Sequence, residues 1–190
     1  MSTTPETPSG STSVTTVTAG ERADILDVLQ KHRGLFRVTV QGISDDEART
    51  RSTVSELTLG GLVKHVARTE QMWARFIQEG PAENAIDWSN VDWSNPPPEV
   101  TAYSDGFRLL EDETLAGLLE EYDAVAAATD ALVGTVDLDA SQPLPTAPWF
   151  PPGARWSARR VFAHILAETA QHAGHADIIR EAVDGQKTMG

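Results

Sequence analysis

Four stretches of the chain repeat apolar residues at helical spacing. The first runs from about Glu21 to Gln41, with Ile25, Val28, Leu29, Leu35 and Phe36 on one stripe. The second ends near Gln78 and carries Leu59, Leu62, Val63, Val66, Trp73, Phe76 and Ile77; Ser55 is a plausible N-cap and Thr58 its rival. The third spans about Asp112 to Val133, with Leu115, Leu118, Leu119, Tyr122, Val125 and Leu132 inward. The last, Arg159 to Glu181, follows a Ser157 cap and places Val161, Phe162, Ile165 and Ile179 on its apolar side.

Between these stretches the pattern breaks. Gly42 and Asp45-Asp46-Glu47 mark a short helical turn after the first helix. Residues 79 to 112 are irregular and hold a duplication, Asp87-Trp88-Ser89-Asn90 and Asp92-Trp93-Ser94-Asn95, whose tryptophans are expected to pin the loop rather than cover a ligand. Residues 134 to 155 are rich in proline, and no period-2 strand stands out. Residues 1 to 19 are Ser, Thr, Pro and Gly with little to bury, and are expected to form a disordered lead-in to one domain over 20–190. Four long amphipathic helices with long connections between helices two and three and between three and four predict an all-α four-helix bundle.

The last helix departs from a packing pattern at Glu168 and His172. A helix that only filled a core would carry Leu or Ala there, and burying a lone carboxylate costs several kcal/mol unless it is paired or bound to a metal. The two lie four residues apart, one turn along one face, which suits two ligands of a single ion. His65, beside Leu62 and Val66 on helix two, is the natural third. Two imidazole nitrogens and one carboxylate oxygen form the donor set of a catalytic zinc site that leaves room for water or substrate; nickel, iron or manganese would also accept it. His164 and His175 flank the carboxylate. Two rivals stand beside the metal. One is a buried polar cluster in which the histidines neutralise Glu168. The other is a row of His164, Glu168 and His172, whose ends lie two turns apart, far for one small ion. His32, on the first stripe, is read as a core or pocket-wall residue. The Gly60-Gly61 pair inside helix two, costly by roughly 1 kcal/mol per glycine, points to close approach of another backbone or a local opening.

Composition narrows the chemistry. The chain has 28 Asp plus Glu against 15 Lys plus Arg, so no basic patch offers itself to nucleic acid. It has no cysteine, hence no disulfide, no thiolate ligand and no cysteine nucleophile; any thiol comes from outside. With no long apolar run and no leader pattern, no membrane partner and a cytoplasmic location are expected. The oligomeric state is not fixed by the sequence, and a homodimer stays open.

Two segments carry a family resemblance. AETAQHAGHADIIREAVDG (Ala167 to Gly185) and LTLGGLVKHVARTE (Leu57 to Glu70) together resemble the DinB/YfiT-like superfamily, in its mycothiol S-transferase-like branch, related to mycothiol-dependent maleylpyruvate isomerase. The likeness extends over about residues 20 to 186. It implies a four-helix bundle with a divalent metal held by one ligand from helix two, falling on His65, and two from helix four, falling on Glu168 and His172. Many relatives carry histidine where this chain has Glu168, and glutamate there is similar to the isomerase. Many carry glutamine where this chain has His175. The implied activity is a metal-dependent S-transferase that activates a low-molecular-weight thiol, mycothiol first and bacillithiol second, for attack on a small electrophile. In that reading His175 or His164 orients Glu168 or moves the proton. A metal-dependent hydrolase and a non-catalytic metal- or ligand-binding protein are the alternatives.

Overall fold

A computed structural model describes residues 13–82, 86, 91–145, 147 and 149–188. Four long helices form the bundle: α1 (Ser13–Val38), α3 (Leu59–Glu79), α5 (Leu115–Thr135) and α6 (Ala158–Asp184). Two short ones, α2 (Asp45–Arg49) and α4 (Pro98–Asp105), lie in the connections. α3 packs against α5 and α6, and α1 against α6 and α5.

Helix starts follow local capping chemistry. Thr58, not Ser55, begins α3: its side chain accepts the Gly61 N–H, while the Ser55 hydroxyl accepts from Leu57 in the turn before. Thr114 and Ser157 cap α5 and α6 in the same way. Ser44 and Glu47 form a reciprocal capping box at α2. α6 ends on Gly185 at φ 80°, a left-handed position that a side chain would strain.

Three details differ from the sequence-based expectation. α1 begins at Ser13, so the last part of the expected lead-in is helical, while residues 1–12 lie outside the described residues. The long connection after α3 contains α4, whose Pro98 stands in the first turn, where its missing N–H costs nothing. The proline-rich connection contains a two-stranded antiparallel ribbon, β1 (Ser141–Pro143) against β2 (Arg155–Ser157), with Gln142 opposite Trp156. Strands of three residues are too short to show an alternating pattern. Of the duplication, the first copy lies outside the described residues, and Trp93 of the second is 68% exposed.

The bundle has two apolar clusters stacked along its axis. One gathers Phe36, Leu59, Leu62, Val63, Val66, Leu115, Leu118, Tyr122 and Ile179. The other gathers Leu29, Trp73, Phe76, Val133, Val161, Phe162 and Ile165. Between them, at the same height on three helices, lie buried polar residues: Arg33 on α1, Glu70 on α3 and Thr169 on α6. The Arg33 guanidinium donates to both Glu70 oxygens and to Asp130 of α5, 2.7 Å away. That buried bridge satisfies the charges of three helices and fixes their register at the level of the candidate site.

Candidate metal centre

The sequence places His65 on α3 and Glu168 and His172 on α6, and helix packing brings the three together. One ligand atom from each lies within 4.8 Å of the other two, and all three residues are half-buried. His172 Nε2 is 3.5 Å from Glu168 Oε2. The His65 and His172 rings meet edge to face with centroids 4.7 Å apart.

The other two histidines sit on opposite flanks. His164 Nε2 is 3.7 Å from Glu168 Oε1, and its ring is wedged against Trp73 and Trp156, which stack on each other with centroids 4.9 Å apart. His175 Nδ1 lies 3.4 Å from His172 Nδ1 and meets His172 rather than Glu168. With the proton on His172 Nδ1, donated to His175, the lone pair of His172 falls on Nε2, the nitrogen on the Glu168 side of the ring and the one a metal would take. The row of His164, Glu168 and His172 does not close on one point among the described residues. His32 is half-buried on α1 and stands outside the cluster.

Electrostatics favours ligation-ready imidazoles. Burial, helped by the charge of His172, pushes His65 down to about 4. Burial also lowers His172, with His175 adding to the effect, and lowers His164 against the opposing pull of Glu168. Neutral histidines are what a metal requires, and they cannot neutralise a carboxylate. The donor set, two neutral nitrogens and one carboxylate oxygen within reach of each other, therefore fits a divalent cation better than a self-satisfied polar cluster.

One wall of the site comes from a segment the helical periodicity did not single out. Phe107 lies face to face with His65, ring centroids 4.3 Å apart, and Tyr103 meets Phe107 edge-on. This segment lies directly on Gly60 and Gly61. A Cβ on Gly61 would stand 2.0 Å from the Phe107 carbonyl oxygen, and one on Gly60 would stand 2.8 Å from Leu109 Cβ. The glycine pair thus marks a backbone approach, as the sequence suggests. Beside it, fully buried Lys64 donates to the Arg108 carbonyl at 3.2 Å and to Glu113, which in turn accepts the Leu110 N–H. The residue next to His65 therefore ties down the loop that carries the ring stacked on His65.

A cavity of about 410 Å³ opens on the cluster, lined by His65 and Glu168, by Arg68, Thr69 and Met72 of α3, and by Ala102, Tyr103, Gly106 and Phe107. Arg68 and Met72 follow His65 at intervals of three and seven on one helix face, a signal present in the sequence once His65 is chosen. Met72 is 56% and Tyr103 51% exposed, so the rim is apolar and open.

Among the described residues no helix is long and apolar enough to cross a membrane. No curated protein matches the chain. A conserved protein from Enterococcus faecalis of known crystal structure is similar in fold, with a TM-score of 0.56 and 16% identity over 91% of this chain and 98% of that one. At that identity the likeness speaks for the helical architecture alone. The family model described as Mycothiol-S-transferase matches residues 24–185, which include both helices of the cluster and the loop that walls it. The chain belongs to the mycothiol S-transferase family, with the all-α DinB/YfiT-like fold.

Proposed function

We propose that the protein is a divalent-metal-dependent S-transferase that joins a low-molecular-weight thiol, mycothiol, to a small electrophile. The observation that carries this reading is the convergence of His65, Glu168 and His172 within 4.8 Å at the wall of an open, largely apolar cavity. His65, Glu168 and His172 would hold the metal, with zinc the best match to two nitrogens and one oxygen. When bound, such a cation supplies the acidity that turns a thiol, ordinarily with a pKa of about 8.5, into a thiolate at neutral pH.

The chain's own residues do the rest. The cavity rim of Met72 and Tyr103 receives the electrophile's apolar body. Phe107 shields one face of His65 from water. His175 holds the His172 tautomer through the Nδ1 contact. His164, neutral through burial, takes up the thiol proton at Nε2, where the neighbouring Glu168 carboxylate steadies the imidazolium. The sulfur–carbon bond forms as the bond to the leaving group breaks, a halide departing with its electron pair. With no cysteine in the chain, no internal thiol competes.

The test is thiol consumption by the metal-loaded protein, using mycothiol, bacillithiol and glutathione with halogenated and α,β-unsaturated electrophiles. Mycothiol is expected to be consumed fastest and glutathione slowly. Rates equal to a metal-free control for every pair overturn the reading.

A further inference from the structure

The cavity beside the cluster is apolar on most of its wall, yet it holds one cation. Arg68 stands one helical turn beyond His65 on the same face of α3 and lines the cavity with Met72 a further turn along. Its guanidinium rests against the facing loop: Nη1 is 3.6 Å from the place a Cβ on Gly106 would take, so the glycine leaves room for it.

The basic side chains around it are engaged. Lys64 is paired with Glu113, and Arg108 with Asp105. Among the described residues the Arg68 guanidinium makes no ion pair and no hydrogen bond; Glu113, on which its charge acts from a distance, is already held by Lys64. An exposed arginine without a carboxylate, in a chain of net charge −13, is a local reversal of the molecule's field at the mouth of a cavity. The guanidinium fork matches a carboxylate in geometry as well as charge. The same cavity is lined by two flat apolar surfaces, the Phe107 ring stacked on His65 and the Tyr103 ring set edge-on to it.

We propose that Arg68 makes this cavity selective for an electrophile that carries a carboxylate on a flat apolar body, the anion on Arg68 and the reacting carbon toward His65 and Glu168. This rests on the transferase reading for the identity of the reaction, while the anion subsite rests on the cavity alone. Mycothiol, the thiol of that reaction, has no free carboxylate, so the anion belongs to the acceptor.

Two measurements on the metal-loaded protein test the proposal. In calorimetry the unreactive para-toluate binds about tenfold or more tighter than the neutral para-toluamide, a ratio in keeping with one charge-assisted contact. Arg68→Gln brings that ratio close to one, and Arg68→Lys keeps part of it. In turnover with mycothiol, para-(bromomethyl)benzoate is preferred over its methyl ester by wild type, and the preference is lost in Arg68→Gln. Equal binding of toluate and toluamide by wild type, or undiminished toluate binding by Arg68→Gln, overturns the proposal; the second result is what direct binding of the carboxylate to the metal would give. Arg68-dependent toluate binding with no thiol consumed from either bromide upholds the anion subsite and overturns the transferase reading.

Discussion

The carbonyl oxygen of Phe107 stands 2.0 Å from where a Cβ on Gly61 would be, so a loop from the far side of the site occupies the space of a side chain on the helix that carries His65. Helix and loop are thereby one unit, and the Phe107 ring cannot hold its stack on His65 unless position 61 is bare.

Gly61→Ala tests this through the sign of its effect. Alanine favours a helix interior by about 1 kcal/mol over glycine, so an undocked loop would let the substitution stabilise. With the loop docked, the collision costs about 1–3 kcal/mol. Denaturant unfolding is expected to show net destabilisation, with weaker metal binding in a parallel titration; a rise in stability would separate loop from helix.

The Lys64–Glu113 pair should behave as a brace. Lys64→Met leaves Glu113 without its cation and the Arg108 carbonyl without a donor. Because the Glu113 side chain is 24% exposed, a loss of about 1–3 kcal/mol is expected, below the range for a fully enclosed pair. Adding Glu113→Gln should recover part of it, since the carboxylate left behind is then neutral. A double-mutant cycle with no coupling between the two positions would contradict the brace.

Metal content separates the three proposed ligands from their neighbours. Wild type should hold about one divalent ion per chain, and His65→Ala and His172→Ala should each largely abolish it. Elemental analysis after dialysis decides; full occupancy in either variant removes that residue from the set. Glu168→Gln should also lose affinity while keeping the fold. If instead a chelator leaves the wild-type melting temperature unchanged and Glu168→Gln melts higher, the polar-cluster alternative gains the ground.

Protonation gives a further prediction for the metal-free protein. Burial holds His65 near 4, below the ordinary 6.5 for imidazole, and also lowers His164 and His172. Below the ordinary value the unfolded chain then binds more protons than the folded one, so stability drops as the pH is lowered. His65's share is present above about 6.5 and lost progressively toward about 4. Melting temperatures of the metal-free protein should decline over that window, less so in His65→Gln. A flat profile would mean that the site is open to water in solution.

The main architecture is legible in the sequence because its signals are local. Apolar periodicity announces four helices, and Ser157 announces the start of the last. The pairing of Glu168 with His172 is also local, one turn on one face, and Gly60-Gly61 correctly flags a contact. The identity of that contact is not local. Phe107 lies in a segment without periodicity, some forty residues beyond His65, and nothing in its neighbours reveals that its ring is laid on an imidazole. Thr58 displaced Ser55 as the cap because only its hydroxyl meets a free N–H of the helix's first turn, that of Gly61, a choice between two similar residues three positions apart. The ribbon escaped notice because three residues per strand leave no alternation to read.

The edge-on contact of His164 with the stacked pair Trp73 and Trp156 has an optical consequence. Of the five tryptophans in the sequence, these two share a stack, and the imidazole touches both, with ring centroids 4.9 and 5.0 Å away. An imidazolium quenches indole fluorescence, and a cation placed on Glu168 changes the field that the two indoles feel. Proton uptake at His164 and ion loading at Glu168 should both be visible as changes in emission, and Trp156→Phe should mute them. Occupancy of the site can then be followed in the unlabelled protein, in real time and at micromolar concentration, with the bundle acting as its own indicator.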